Sequence, residues 1–168
     1  MKEIIVVAEH RRGELRDVTW EMLSRGRELS EGFGGELSVA LLGKDVKNLA
    51  EALKPRANRV LLIEDNRLEF YNSETYEKVL TQLITERKPL LTMIGHTATG
   101  MDFAPGLAAH LKIPLATDCI GIDAKDDTFT LRILEKYVEA SGIPYVHLRP
   151  NWFMQNFSSE PMLSDIRD

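Results

Sequence analysis

Short apolar runs alternate with longer stretches of helical periodicity along most of this chain. Residues 4–8 are a β-branched run between polar residues, which suits a strand buried on both faces of a parallel sheet. After a turn at Gly13, apolar Trp20, Leu23 and Leu29 recur at helical spacing, with Asp17 or Thr19 as the expected cap and Gly32, Gly34 and Gly35 as the stop. Residues 37–42 repeat the strand pattern and end at Gly43. Asp45 is then placed to cap a helix carrying Val46, Leu49 and Leu53 before Pro55. A third run at residues 60–63 precedes a helix over residues 73–87, which sets Tyr76, Val79, Leu80, Leu83 and Ile84 on one face and opens at Ser73. A fourth run, residues 90–94, stops in GHTATG. The pattern predicts a helix over residues 102–111, with Pro105 near its first turn, and a fifth strand over residues 115–122.

Parallel strands need crossover connections, and right-handed crossovers place helices on both faces of the sheet. The expected architecture is therefore α/β, a Rossmann-like three-layer sandwich with a mostly parallel sheet. Beyond Gly121, residues 128–131 read as extended, and Ile133, Leu134, Tyr137 and Val138 share a face of a helix ending at Ser141 and Gly142. Residues 144–148 read as a last strand, and the tail after Asn156 as frayed. No repeat or Pro/Gly/Ser-rich linker divides the chain, so residues 1–168 read as one domain, with a change of pattern near residue 131.

Composition narrows the functional classes. The chain has 168 residues, 43% hydrophobic and 28% charged, with a formal net charge of -5, as expected of a soluble globular protein. No Lys/Arg cluster exceeds the pair Arg11 and Arg12, which argues against nucleic acid as a partner. No apolar run approaches the roughly 20 residues that span a bilayer, so the expectation is a cytoplasmic protein with neither a targeting segment nor a membrane partner. Cys119 is the single cysteine, and the four histidines lack the spacing of a metal site, so the expectation for metal is none.

In open α/β sheets, ligands bind beyond the carboxyl ends of the strands. Among the loops there, GHTATGMD stands out: Gly95, His96, Thr97, Thr99 and Gly100 precede a helix whose first backbone N–H groups can meet a phosphate or carboxylate. The competing reading is a tight strand-to-helix turn permitted by Gly95 and Gly100, with Thr99 or Asp102 as the cap. The loop is not a Walker motif, and AEHRRGEL after the first run lacks the glycines of a dinucleotide fingerprint. His10 and His96 fall at strand ends without a partner defined by sequence, Asp118 reads as a turn residue, and no catalytic triad can be assembled. Trp20, Trp152, Phe153 and Met154 are hydrophobic anchors for the core, or for a partner subunit or second copy.

Three segments carry a resemblance to a known family. VVAEHRRGELRDVTWEMLSRGRELSEGFGGELSVALLG, ALKPRANRVLLIED and KPLLTMIGHTATGMDFAPGLAAHLKIPLATDCIGID resemble, in order and spacing, the amino-terminal domain of the electron transfer flavoprotein alpha subunit over residues 1–131. The resemblance implies a Rossmann-like domain that packs against a beta-type subunit, while a separate carboxy-terminal domain, expected to be missing here, binds most of the FAD. It implies no catalysis by this chain alone, no cofactor held by it alone, and FAD or AMP only in complex with a partner. The family's basic residues in and after the GHTATG-like loop are replaced by Met101 and Gly106. RILEKYVEASGIPYVHLRPNWFMQNF resembles instead a segment of NmrA-like atypical short-chain dehydrogenases, which implies that Arg149, Pro150 and Asn151 lie toward the substrate side of such a sheet. An adenine-nucleotide-binding module and an inactive scaffold or chimera are the alternatives.

Overall fold

A computed structural model describes residues 2–125, 128–133 and 153–157. In chain order the elements are β1 (Glu3–Val7), β2 (His10–Arg11), β3 (Glu14–Leu15), α1 (Asp17–Gly32), β4 (Glu36–Gly43), α2 (Lys47–Leu53), β5 (Arg59–Glu64), α3 (Ser73–Arg87), β6 (Leu91–Gly95), α4 (Ala98–Leu111), β7 (Leu115–Ala116), β8 (Cys119–Lys125), β9 (Thr128–Ile133) and β10 (Phe153–Phe157). The main sheet runs β5-β4-β1-β6-β10-β7. Its first four strands are parallel, and β10 pairs antiparallel with both β6 and β7. The expected mostly parallel sheet is what forms.

The period of two along each strand builds the three layers. Every residue of β1 is buried. Ile4 and Val6 pack with Met22, Leu23, Leu37 and Met93 on the face covered by α1 and α2. Ile5 and Val7 pack with Leu80, Ile94, Phe103 and Leu107 on the face covered by α3 and α4. Each such side chain contributes about 1.5–3 kcal/mol by leaving water, so a β-branched run with no polar interruption is what a central parallel strand requires.

The expected fifth strand is two strands. Asp118 takes a left-handed conformation, φ 57°, and that bend ends β7 and turns the chain out of the main sheet. β8 then pairs antiparallel with β9 as a separate ribbon. The ribbon lies on α1, where Arg25 Nε donates to the Ile122 carbonyl at 2.8 Å and Phe129 packs edge-on against Phe33. α4 begins at Ala98 rather than at residue 102, because Thr97 supplies the cap. Pro105 consequently sits mid-helix and leaves the Met101 carbonyl without its intrahelical donor.

The other expected caps also move by a residue or more. Arg16 precedes α1 without a side-chain cap bond, and Val46 precedes α2, its N–H satisfied by Glu64 Oε1 at 3.0 Å. Asn72 rather than Ser73 caps α3 by accepting from Thr75 N. The helix expected to end at Ser141 and Gly142 and the strand expected over residues 144–148 lie outside the described residues, as does Trp152. Phe153 and Met154 lie in β10, which continues through Asn156 to Phe157. Among the described residues, no helix is long and apolar enough to cross a membrane, and no group of acidic, His or Cys side chains could hold a metal ion.

Candidate functional site in the crevice between β1 and β6

From β1 the sheet grows through β4 to β5 in one direction, and β6 lies on the other side of β1. The strand order therefore reverses between β1 and β6, and the crevice beyond their carboxyl ends is where ligands bind in sheets of this kind. Two chain segments line it, the one leaving β1 at Glu9 and the GHTATG loop leaving β6.

The GHTATG loop is organised by Thr97. Its hydroxyl accepts from Gly100 N at 3.2 Å, capping α4, and donates to Glu9 Oε2 at 2.6 Å. Met101 N donates to the Thr97 carbonyl at 2.9 Å. A carboxylate of the protein itself thus stands at the amino-terminal end of α4, where the helix dipole favours negative charge. Glu9 is held there by Thr19, a buried hydroxyl in the first turn of α1 that accepts from Glu9 N at 2.9 Å and donates to Glu9 O at 3.0 Å.

Both loop glycines sit in close packing, and Gly100 is demanded by it. A Cβ on Gly100 would lie 1.9 Å from the Gly95 carbonyl oxygen, and one on Gly95 would lie 3.0 Å from Val18 Cγ2. Neither has a positive φ, so Gly100 is needed because α4 lies so close to the Gly95 backbone, whereas a Cβ on Gly95 would require Val18 to shift.

His96 faces Asp118, just beyond β7. It is 7% exposed, and its Nδ1 lies 3.5 Å from Asp118 Oδ1. The alignment falls short of a hydrogen bond, and neither atom has a hydrogen-bond partner among the described residues. Burial lowers the His96 pKa below its ordinary value, with the Asp118 carboxylate opposing part of that shift. Thr99, half-buried, offers its carbonyl to the Tyr71 hydroxyl at 3.3 Å, while Asp102 accepts from the same hydroxyl at 2.7 Å. Asp102 thus pins the loop ahead of α3 and leaves the capping of α4 to Thr97. Tyr76 meets Tyr71 edge to face and Phe103 at a tilt. Burial, helped by the Glu9 charge, pushes the Tyr76 phenol up to about 12 and keeps it neutral.

His10 is not beside His96. Its Nε2 donates to the Leu42 carbonyl at 2.7 Å and ties the segment after β1 to the end of β4. Cys119 is buried and its thiol is pushed up to about 12, principally by burial and further by Asp118, so it behaves as a core residue. The crevice therefore gathers Gly95, Thr97, Thr99 and Gly100 with Glu9, Thr19, Tyr71, Tyr76 and Asp102, and sets His96 against Asp118. Glu9 and Thr19 carried a readable signal, a carboxylate just past the first strand and a hydroxyl one turn into the next helix. Their pairing with Thr97 depends on strand order.

Comparison with known proteins agrees with this architecture. The family model "Electron transfer flavoprotein domain" matches residues 4–160, and so runs beyond the change of pattern near residue 131. An electron transfer flavoprotein subunit alpha from Megasphaera elsdenii is 40% identical over 131 residues, covering 77% of this chain and 39% of that protein. One from Bacillus subtilis (strain 168) is 32% identical over 158 residues, covering 89% of this chain and 48% of that protein. The acryloyl-CoA reductase electron transfer subunit beta of Anaerotignum propionicum is 36% identical over 123 residues, covering 73% and 34%. The chain spans less than half the length of these relatives. It belongs to the electron transfer flavoprotein domain family, as an alpha-subunit-like domain.

Proposed function

We propose that this domain pairs with a beta-type electron transfer flavoprotein subunit and helps to position a flavin whose binding groups lie outside the residues described here. The redox chemistry then belongs to the flavin, and this domain supplies orientation and electrostatics. The observation that carries the reading is the Glu9 carboxylate on Thr97 at the start of α4: the helix end best suited to a cofactor phosphate already holds an anion of the protein. Co-purification with a beta-type subunit tests the pairing. A one-to-one complex that takes up FAD or AMP, from a chain that is colourless alone, is the expected result. Stoichiometric FAD on the chain alone overturns it.

A second reading, a module that binds an adenine nucleotide by itself, is favoured by one feature. The N–H groups of Ala98 and Thr99 at the start of α4 have no bonding partner among the described residues. On this reading Gly95, His96, Thr97, Thr99 and Gly100 form the phosphate loop, and Glu9 competes with the ligand. Calorimetry with AMP then detects binding that tightens in Glu9→Gln, whereas no heat from either protein rules the reading out.

A further inference from the structure

The segment between β1 and α1 is a small hairpin whose sequence, His10-Arg11-Arg12-Gly13-Glu14-Leu15-Arg16, carries three arginines in a chain of net charge -5. β2 and β3 pair through His10↔Leu15 and Arg11↔Glu14, and the two residues between them, Arg12 and Gly13, have φ of 54° and 80°. Positive φ at both central positions is the type I′ turn, in which Asn followed by Gly is the favoured pair. Arg12 therefore holds a left-handed conformation that strains an L residue through its Cβ and that Asn would adopt more easily. Nothing in the packing calls for arginine there, since Arg11, Arg12 and Arg16 are all exposed. None of the three guanidinium groups has an ion-pair or hydrogen-bond partner among the described residues.

The hairpin is firmly held at its base. His10 is bonded to the Leu42 carbonyl, Arg16 N to the Glu9 carbonyl at 2.9 Å, and Glu9 is gripped on both backbone groups by Thr19. Arg11, Arg12 and Arg16 line a hollow of about 440 Å³ together with Glu14, Leu15 and Asp17. That volume lies in the range of small-molecule sites. Neither carboxylate pairs with a guanidinium, although Glu14 stands opposite Arg11 in the hairpin, and the three arginines with Glu14 and Asp17 sum to a formal charge of +1. An anion with two phosphoryl groups can accept from several guanidinium forks at once, which a small singly charged anion cannot.

We propose that Arg11, Arg12 and Arg16 form a binding site for a diphosphate group, either free pyrophosphate or the diphosphate of a nucleotide. The site is built from the hairpin side chains and uses neither the Thr97 hydroxyl nor the Glu9 carboxylate. Titration calorimetry of the chain at low salt with inorganic pyrophosphate and, in parallel, with ADP tests it. Saturable binding is expected, weakened about tenfold or more in Arg12→Asn and in Arg16→Gln, while the urea midpoint of Arg12→Asn stays unchanged or rises. Tighter binding of ADP identifies a nucleotide as the source of the diphosphate, and equal or weaker binding identifies the free anion. Arg67→Gln, which removes an exposed arginine already paired with Asp65, should leave the affinity unchanged. Absence of saturation, full binding in the Arg12→Asn/Arg16→Gln double variant, or equal loss in Arg67→Gln overturns the proposal.

Discussion

At the scale of single residues, the crevice depends on one missing Cβ and one buried imidazole. Gly100→Ala places a methyl group 1.9 Å from the Gly95 carbonyl, and backbone cannot move aside as a flexible side chain would. The expected loss is about 3 kcal/mol, the upper end of overpacking costs, read from urea midpoints; a loss below about 0.5 kcal/mol would show that α4 lies less tightly on β6 than described. His96, with its pKa held below the ordinary 6.5 principally by burial, is neutral in the fold and charges more readily when unfolded. Its contribution is therefore present above the unfolded value and is lost as pH falls through the lowered folded value. An NMR titration of the His96 ring should give a midpoint below 6.5, and a midpoint above it would mean that the Asp118 charge outweighs desolvation. Thr97 shows how far residue-level reading reaches. The hydroxyl-rich loop announced a capped helix start with Thr99 or Asp102 as the cap, yet Thr97 caps α4, its hydroxyl also held by Glu9 from the segment that follows β1.

At the scale of elements, strands and helices with strong periodicity were readable because each had a face to bury: β1, β4 and β6 between two layers, α3 with Leu80 and Ile84 inward. Where a local conformation overrode the pattern, reading failed. Residues 115–122 are apolar enough for one strand, yet left-handed Asp118 divides them, and a single sequence carries no clear mark of a positive φ at an Asp. Elements are also joined by pairs that are distant in sequence. Glu3, 7% exposed at the start of β1, is bonded by Arg87 at the end of α3, with Nε to Oε2 at 2.9 Å and Nη2 to Oε1 at 2.5 Å, and by the Ser38 hydroxyl. Arg87→Leu leaves that carboxylate in a poorly solvated place. Because Arg87 is a quarter exposed, the expected cost is about 2 kcal/mol rather than the full penalty of a broken buried pair. Adding Glu3→Gln should recover part of it in a double-mutant cycle, and strict additivity would mean the two groups do not act as a pair.

At the scale of the whole molecule, a mostly parallel sheet was implied by alternation, whereas the order β5-β4-β1-β6 and the antiparallel β10 between β6 and β7 were not. Its residues read as anchors and a fraying end, and a five-residue segment far along the chain does not reveal which strand edge it joins. The strand order defines the crevice, and the crevice holds a carboxylate of the protein at the helix end suited to a cofactor phosphate, the feature on which the proposed positioning role rests. Native mass measurement of the 19.0 kDa chain, alone and mixed with a beta-type subunit, tests that role most directly. The account predicts a flavin-free mass alone and a one-to-one complex in the mixture. A chain that carries stoichiometric FAD by itself, or that ignores the beta-type subunit, would contradict it.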